Sequence, residues 1–135
     1  MHTIYIDTNF VVSFLLKRSP EQHRRAEELV KKAAAGELEL MLSPVVVAEV
    51  AAILHHTYEL SQSEAARLII VLATARGVAV EEEAIVLDAL AKSRDLKDVD
   101  FVDAYVVLTA DDRQRKVATF DKALSRKLGV AAFDF

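Results

Sequence analysis

Three carboxylates in this 135-residue chain stand alone in stretches otherwise free of charge. Asp7 is the one formally charged residue between positions 3 and 16, in TIYIDTNFVVSFLL. Glu49 is the one between 40 and 58, in LMLSPVVVAEVAAILHHTY; on a helix its neighbours three and four positions away are Val45, Val46, Ala52 and Ile53. Asp103, in FVDAYVVLTA, repeats the arrangement with Val99, Val106 and Val107 beside it and only Asp100 sharing its face. Read as buried groups on apolar faces, each needs a partner, because an unpaired buried carboxylate costs several kcal/mol. A distant basic residue or backbone amides could serve any one of them. Three together favour convergence on a shared cation, and Mg²⁺ and Mn²⁺ prefer oxygen ligands from a few carboxylates plus water.

Two further acids have a second reading. Asp121 directly follows the short strand expected at 116–119, where ligand sites of parallel α/β sheets lie, yet taken alone it reads first as the cap of the last helix. Asp100 sits three residues before Asp103 at a helix start, so capping is its main role and the metal site a secondary one.

These acids must be positioned by alternating strands and helices. Residues 3–6 form a short β-branched and aromatic run that suits a buried strand. A helix is expected over 9–16. Ser19-Pro20 with Gln22 supplies an N-cap, a proline at the first helical position and a capping-box partner for a helix to about 35, stopped by Gly36. Residues 38–42 fit a second strand, Ser43-Pro44 opens a helix through about 56, and Ser61 with Glu64 is a capping box for a helix to 76, ended by Gly77. Then come a strand at 78–80, a helix at 82–93 with three acids at its start, a helix at 100–112, a short strand at 116–119, a helix at 122–128 and a possible fifth strand at 130–133. Such alternation implies a parallel sheet covered by helices in a single domain spanning 1–135, without repeats or linkers.

Composition limits the function classes. With 53% hydrophobic and 28% charged residues the chain is globular, and the absence of cysteine removes disulfides, thiolate metal sites and a cysteine nucleophile. No signal peptide or membrane span is expected, which points to a cytoplasmic protein. A net charge of −4 argues against holding nucleic acid mainly by a large positive field, but not against a nuclease whose cations offset clustered acids. The three glycines are too scattered for a phosphate-binding loop. A phosphoacceptor receiver domain would need an aspartate ending a mid-chain strand, and there is no Asp between Thr8 and Leu87.

The ordered set Ile4-Tyr5-Ile6-Asp7-Thr8-Asn9, the helix bearing Glu49, Val102-Asp103-Ala104 and Thr119-Phe120-Asp121 resembles the PIN-domain nucleases, and in size the VapC-type toxins of toxin-antitoxin pairs. The resemblance implies a three-layer α/β/α sandwich with a central parallel sheet of four to five strands. It implies that Asp7, Glu49, Asp103 and Asp121 are an acidic quartet binding Mg²⁺ or Mn²⁺, with Thr8, Asn9 and Thr119 holding the first carboxylate and substrate. It also implies RNA as substrate, hydrolysed by a metal-activated water.

RNA would need cations along its backbone, for which Lys17, Arg18, Arg113, Arg115 and Lys116 are the candidates. Pairs such as Arg24-Arg25 and Lys31-Lys32 read instead as solvated helix faces. No histidine has ligand-like spacing to the acids. The uncharged run at 68–75 suits core or a self-association face, in keeping with the homodimers common among PIN toxins. Compactness, without an appended RNA-binding domain, favours a toxin with a cognate antitoxin; a housekeeping RNA-processing nuclease shares the same site, and a non-catalytic metal-binding module is the remaining alternative.

Overall fold

The computed structural model describes residues 2–135. Its elements run β1 (Thr3–Tyr5), α1 (Thr8–Leu15), α2 (Pro20–Ala34), β2 (Glu39–Leu42), α3 (Pro44–His56), α4 (Gln62–Ala73), β3 (Val78–Val80), α5 (Glu83–Asp95), α6 (Phe101–Asp112) and α7 (Lys122–Leu128). Six helices open on a residue whose side chain accepts from the backbone N–H three positions on: Asp7, Ser19, Ser43, Ser61, Asp100 and Asp121. Each such cap satisfies one of the amides that a helix start leaves without an internal partner.

The Ser61 box is complete, the Ser61 hydroxyl accepting from Glu64 N at 3.0 Å and the Glu64 carboxylate accepting from Ser61 N at 3.2 Å. Hydrogen bonding with Ser61, first through its side chain and then through its backbone, holds the Glu64 carboxyl below its usual pKa. Ser61→Ala is therefore expected to lower stability by about 1 kcal/mol in urea denaturation, and an unchanged midpoint would show that α4 does not depend on its cap. The expected box at Ser19 is only half formed. Ser19 caps Gln22 N, but the Gln22 amide carbonyl is taken by the Ser13 hydroxyl at 3.1 Å, so the side chain turns toward α1 rather than back to its own cap.

The strands pair in parallel in the order β1-β2-β3, with Thr3 opposite Glu39 and Leu42 opposite Val80. Leu40 and Leu42 of β2 lie in the core with Val47, Val50 and Leu54 of α3, Ile69 and Leu72 of α4 and Leu90 of α5. In the 68–75 run Ile69, Leu72 and Ala73 are core and Leu68 and Ile70 pack against it, while Val71 and Thr74 are exposed. Gly77 brings β3 close to α2, at a point where an added Cβ would lie 2.3 Å from the Ala33 carbonyl oxygen.

Three strands, not four to five, make up the sheet. The segments expected as the fourth and fifth strands meet only at a parallel bridge between Val117 and Ala132, with Phe133 N donating to Val117 O at 2.7 Å. Neither extends into a ladder with β1, so β1 is an edge strand and all three of its residues are exposed, contrary to the expected burial. Burial begins one residue later, at Ile6. No helix among the described residues is long and apolar enough to cross a membrane.

Candidate functional site

Asp7 lies just beyond the carboxyl end of β1 and caps α1, one carboxylate oxygen accepting from Phe10 N at 2.8 Å. The next residue, Thr8, donates its hydroxyl to Glu49 of α3 at 2.8 Å, so α1 and α3, which pack together, hold Glu49 beside the Asp7 turn. Helix α3 in turn meets the start of α6 where Ala48, Ala51 and Ala52, on either side of Glu49 in sequence, line a small pocket with Asp100, Phe101 and Val102. This connects the Glu49 segment to the turn that carries Asp103.

At that turn Asp100 accepts from Asp103 N at 2.8 Å. Asp121 accepts from Leu124 N at 3.0 Å, and its own N–H donates to the Thr119 hydroxyl at 2.9 Å. Both capping roles read from the sequence are therefore present. Each cap uses one carboxylate oxygen of its acid. The Asp103 carboxyl is held above its ordinary pKa, first by partial desolvation and then by the negative charges of Asp100 and Asp121. Asp103 thus feels the charges of both Asp100 and Asp121, while Glu49 is held beside the Asp7 turn through Thr8.

The structure corrects one expectation about these acids. Asp7, Glu49 and Asp103 are exposed, not buried. Some of their apolar neighbours are themselves at the surface, Val45 being 73% exposed and Val102 and Val106 about half exposed, while Val99 and Val107 are buried. The isolated charges therefore mark an apolar, acid-dotted surface rather than charges sunk in the core.

None of the five acids joins an ion pair among the described residues; the cations that do pair engage Glu21, Glu27, Glu28, Asp88 and Asp95. Two acids at the carboxyl end of the sheet differ in having phenolic partners. Glu81 accepts from Tyr5 at 3.0 Å and Glu82 from Tyr105 at 2.8 Å, and these hydrogen bonds raise both phenol pKa values. Glu82 was expected to open a helix as one of three acids favoured by the dipole. Instead it adopts the left-handed conformation before α5 and makes no side-chain cap. Its link to Tyr105 joins positions far apart in sequence, which no local pattern could show.

The donor set fits a hard divalent cation in its chemistry: carboxylates, each with one oxygen anchored at Asp7, Glu49, Asp100 and Asp121, and no basic side chain to neutralise them. As the side chains stand, no three His, Cys, Asp or Glu residues among the described ones form a ready-made metal cage. Mg²⁺ does not require one, since it keeps several waters and commonly uses one or two carboxylates together with substrate phosphates. Histidines have other contacts: His23 Nδ1 lies 3.0 Å from Ser13 O and His55 Nδ1 2.7 Å from Leu60 O.

Of the cations expected to contact substrate, Arg18 folds back onto α1, donating to Asn9 Oδ1, and reaches the Tyr58 hydroxyl at 3.4 Å. Lys17 precedes it, exposed. Arg113, Arg115 and Lys116 lie at the opposite end of α6 from Asp103, with Arg113 about 15 Å farther along the helix axis than Asp103. One arginine that the sequence assigned to a solvated face, Arg25, lines a cleft with Asp7.

The parallel α/β sheet thus carries an acid at the end of its first strand, with further acids on α3, on α6 and at the cap of α7. The chain belongs to the PIN domain family, whose pattern matches residues 4–128. PIN domains are in general nucleases and typically use divalent metal ions. No curated protein and no solved structure matches the chain in the corresponding comparisons.

Proposed function

We propose that this chain is a Mg²⁺- or Mn²⁺-dependent ribonuclease that hydrolyses RNA phosphodiester bonds, with Asp7, Glu49, Asp103 and Asp121 as its metal-binding acids. The observation that carries this reading is the set of carboxylates without basic partners among the described residues, in a PIN domain, with Asp103 held above its ordinary pKa by partial desolvation and by its acidic neighbours. Crowded negative charge of this kind is offset by bound cations. A bound ion supplies an activated water and stabilises the leaving oxygen's charge.

The chain's own residues orient that chemistry. The Phe10 amide fixes one Asp7 oxygen and leaves the other available, and the Thr8 hydroxyl does the same for Glu49. Asp100 secures the turn from which Asp103 projects, and Thr119 secures the backbone of Asp121. Asn9, tethered by Arg18, offers its amide group next to Asp7.

Single-stranded RNA incubated with the purified chain is expected to be cleaved in Mg²⁺ or Mn²⁺, to be left intact in EDTA, and to be cleaved again when excess metal is restored. Cleavage of equal rate in EDTA contradicts the reading. We further propose that the protein is a cytoplasmic, homodimeric toxin of a VapBC-type pair, a single PIN-like domain neutralised by an antitoxin. The exposed Val45, Val71, Val102 and Val106 offer apolar surface for such partners. Expression should then arrest growth of a bacterial host, with relief from a small protein encoded in the adjoining reading frame. Harmless expression argues for the housekeeping nuclease.

A further inference from the structure

Arg24 and Arg25 are adjacent on α2 but are used differently. Arg24 is paired on both sides, to Glu21 at 2.8 Å and to Glu28 at 2.7 Å. Arg25 makes no ion pair among the described residues. It lines an open cleft of about 460 Å³ between α1 and α2, whose wall includes Asp7, Asn9, Phe10, Gln22 and Leu29.

Apart from Asp7, which faces the acids, the polar groups of this cleft offer donors. The Asn9 carbonyl oxygen is occupied by Arg18 and the Gln22 carbonyl oxygen by the Ser13 hydroxyl. Both amides therefore keep their NH₂ donors for an occupant, and Arg25 adds a guanidinium suited to bidentate contact with phosphate. Phe10 and Leu29 supply an apolar floor, with an aromatic ring of the kind on which bases stack. An occupant must then combine anionic or acceptor-rich groups with a flat apolar body. A nucleotide does, and the volume is of the size that holds a small ligand. Asp7 lines the cleft, which places it beside the first of the acids.

We propose that the cleft between α1 and α2 is a nucleotide subsite flanking the scissile bond, in which Arg25 holds a phosphate of single-stranded RNA and Phe10 receives the adjacent base. The proposal rests on the ribonuclease reading above. Arg25 binds substrate and takes no part in the bond-breaking step, so its loss acts on affinity.

The test uses the full chain as wild type, Arg25→Ala, Arg25→Lys and Arg24→Ala, with a fluorescent 12-nucleotide single-stranded RNA. Cleavage is followed in Mg²⁺ or Mn²⁺, and binding is followed by anisotropy in EDTA over a range of salt. Arg25→Ala is expected to raise KM and Kd about tenfold with kcat within about twofold, and to reduce the slope of log Kd against log salt by about 0.7, the loss of one phosphate contact. Arg25→Lys should recover the slope, and Arg24→Ala should match wild type. Arg25→Ala indistinguishable from Arg24→Ala in KM, Kd and slope overturns the subsite, whatever the fate of the nuclease reading. Wild type that shows Arg25-dependent RNA binding but no cleavage supports the subsite and refutes the nuclease. Wild type that neither binds nor cleaves refutes both. If Arg25→Ala weakens only a poly-glutamate peptide, the cleft serves a protein and the proposal fails.

Discussion

Asp103→Asn is expected to reduce RNA cleavage at least about 100-fold while raising the thermal midpoint of the metal-free protein by roughly 1–3 °C. The two effects have one origin. The Asp103 carboxyl has a pKa raised by partial desolvation and by Asp100 and Asp121, so in the folded state its ionised form is disfavoured relative to the unfolded chain. A carboxyl shifted in this direction binds its proton more tightly when folded. Its contribution to stability therefore falls as pH rises through the carboxylate range and is unfavourable at neutral pH. Asparagine removes that charge and keeps the backbone N–H that donates to Asp100, so the cap of α6 survives. Loss of a favourable helix-dipole contact opposes the gain, and solvent screening limits it, which is why the shift is small. Added Mg²⁺ or Mn²⁺ should stabilise wild type and have far less effect on Asp103→Asn. A variant that loses activity together with a large fall in thermal midpoint would mean that Asp103 is structural.

The largest stability effect is expected at Gly77→Ala. Gly77 has φ +85°, which disfavours any side chain, and the new methyl would meet the Ala33 carbonyl oxygen at 2.3 Å. The obstacle is the backbone of α2, which cannot move without disturbing α2 and its contact with the sheet. Left-handed strain and overpacking together should cost about 3–5 kcal/mol, a large fraction of a domain's total stability. Gly36→Ala is the control: its φ is +83°, but nothing lies within 4 Å of the added methyl, so only the conformational part, about 1 kcal/mol, should be lost. Chemical denaturation separates the two contributions. Equal midpoints for the two variants would show that α2 and β3 are not as closely apposed as the Gly77 contact requires.

Local chemistry was the legible part of this chain. Ser43-Pro44, Ser61 with Glu64, and Asp121 each set a helix start from their own side chains and immediate neighbours, and α3 and α7 span the residues so expected. The acids Asp7, Glu49 and Asp103 stood out because charge is rare in their segments. Their exposure was not legible, because an apolar segment can be apolar at the surface, as Val45 and Val102 are. The fourth and fifth strands failed for a related reason. A β-branched run states a preference, but a ladder requires a partner in register, and Val117 and Ala132 find one only at a single bridge. Gln22 fitted a capping box by spacing, yet Ser13 on another helix competes for it. Arg25 was not legible: Glu21 and Glu28 lie at pairing spacing from both Arg24 and Arg25, and only the structure shows that Arg24 takes both.

The central claim is that these acids together hold a divalent cation at the reaction site. The most direct test is anomalous diffraction from a crystal of the wild-type chain soaked in Mn²⁺. The expected result is a manganese peak between Asp7 and Asp103, with Glu49 and Asp121 bound to it directly or through water. A peak confined to other residues, or none at these carboxylates in a preparation that cleaves RNA, would contradict the account.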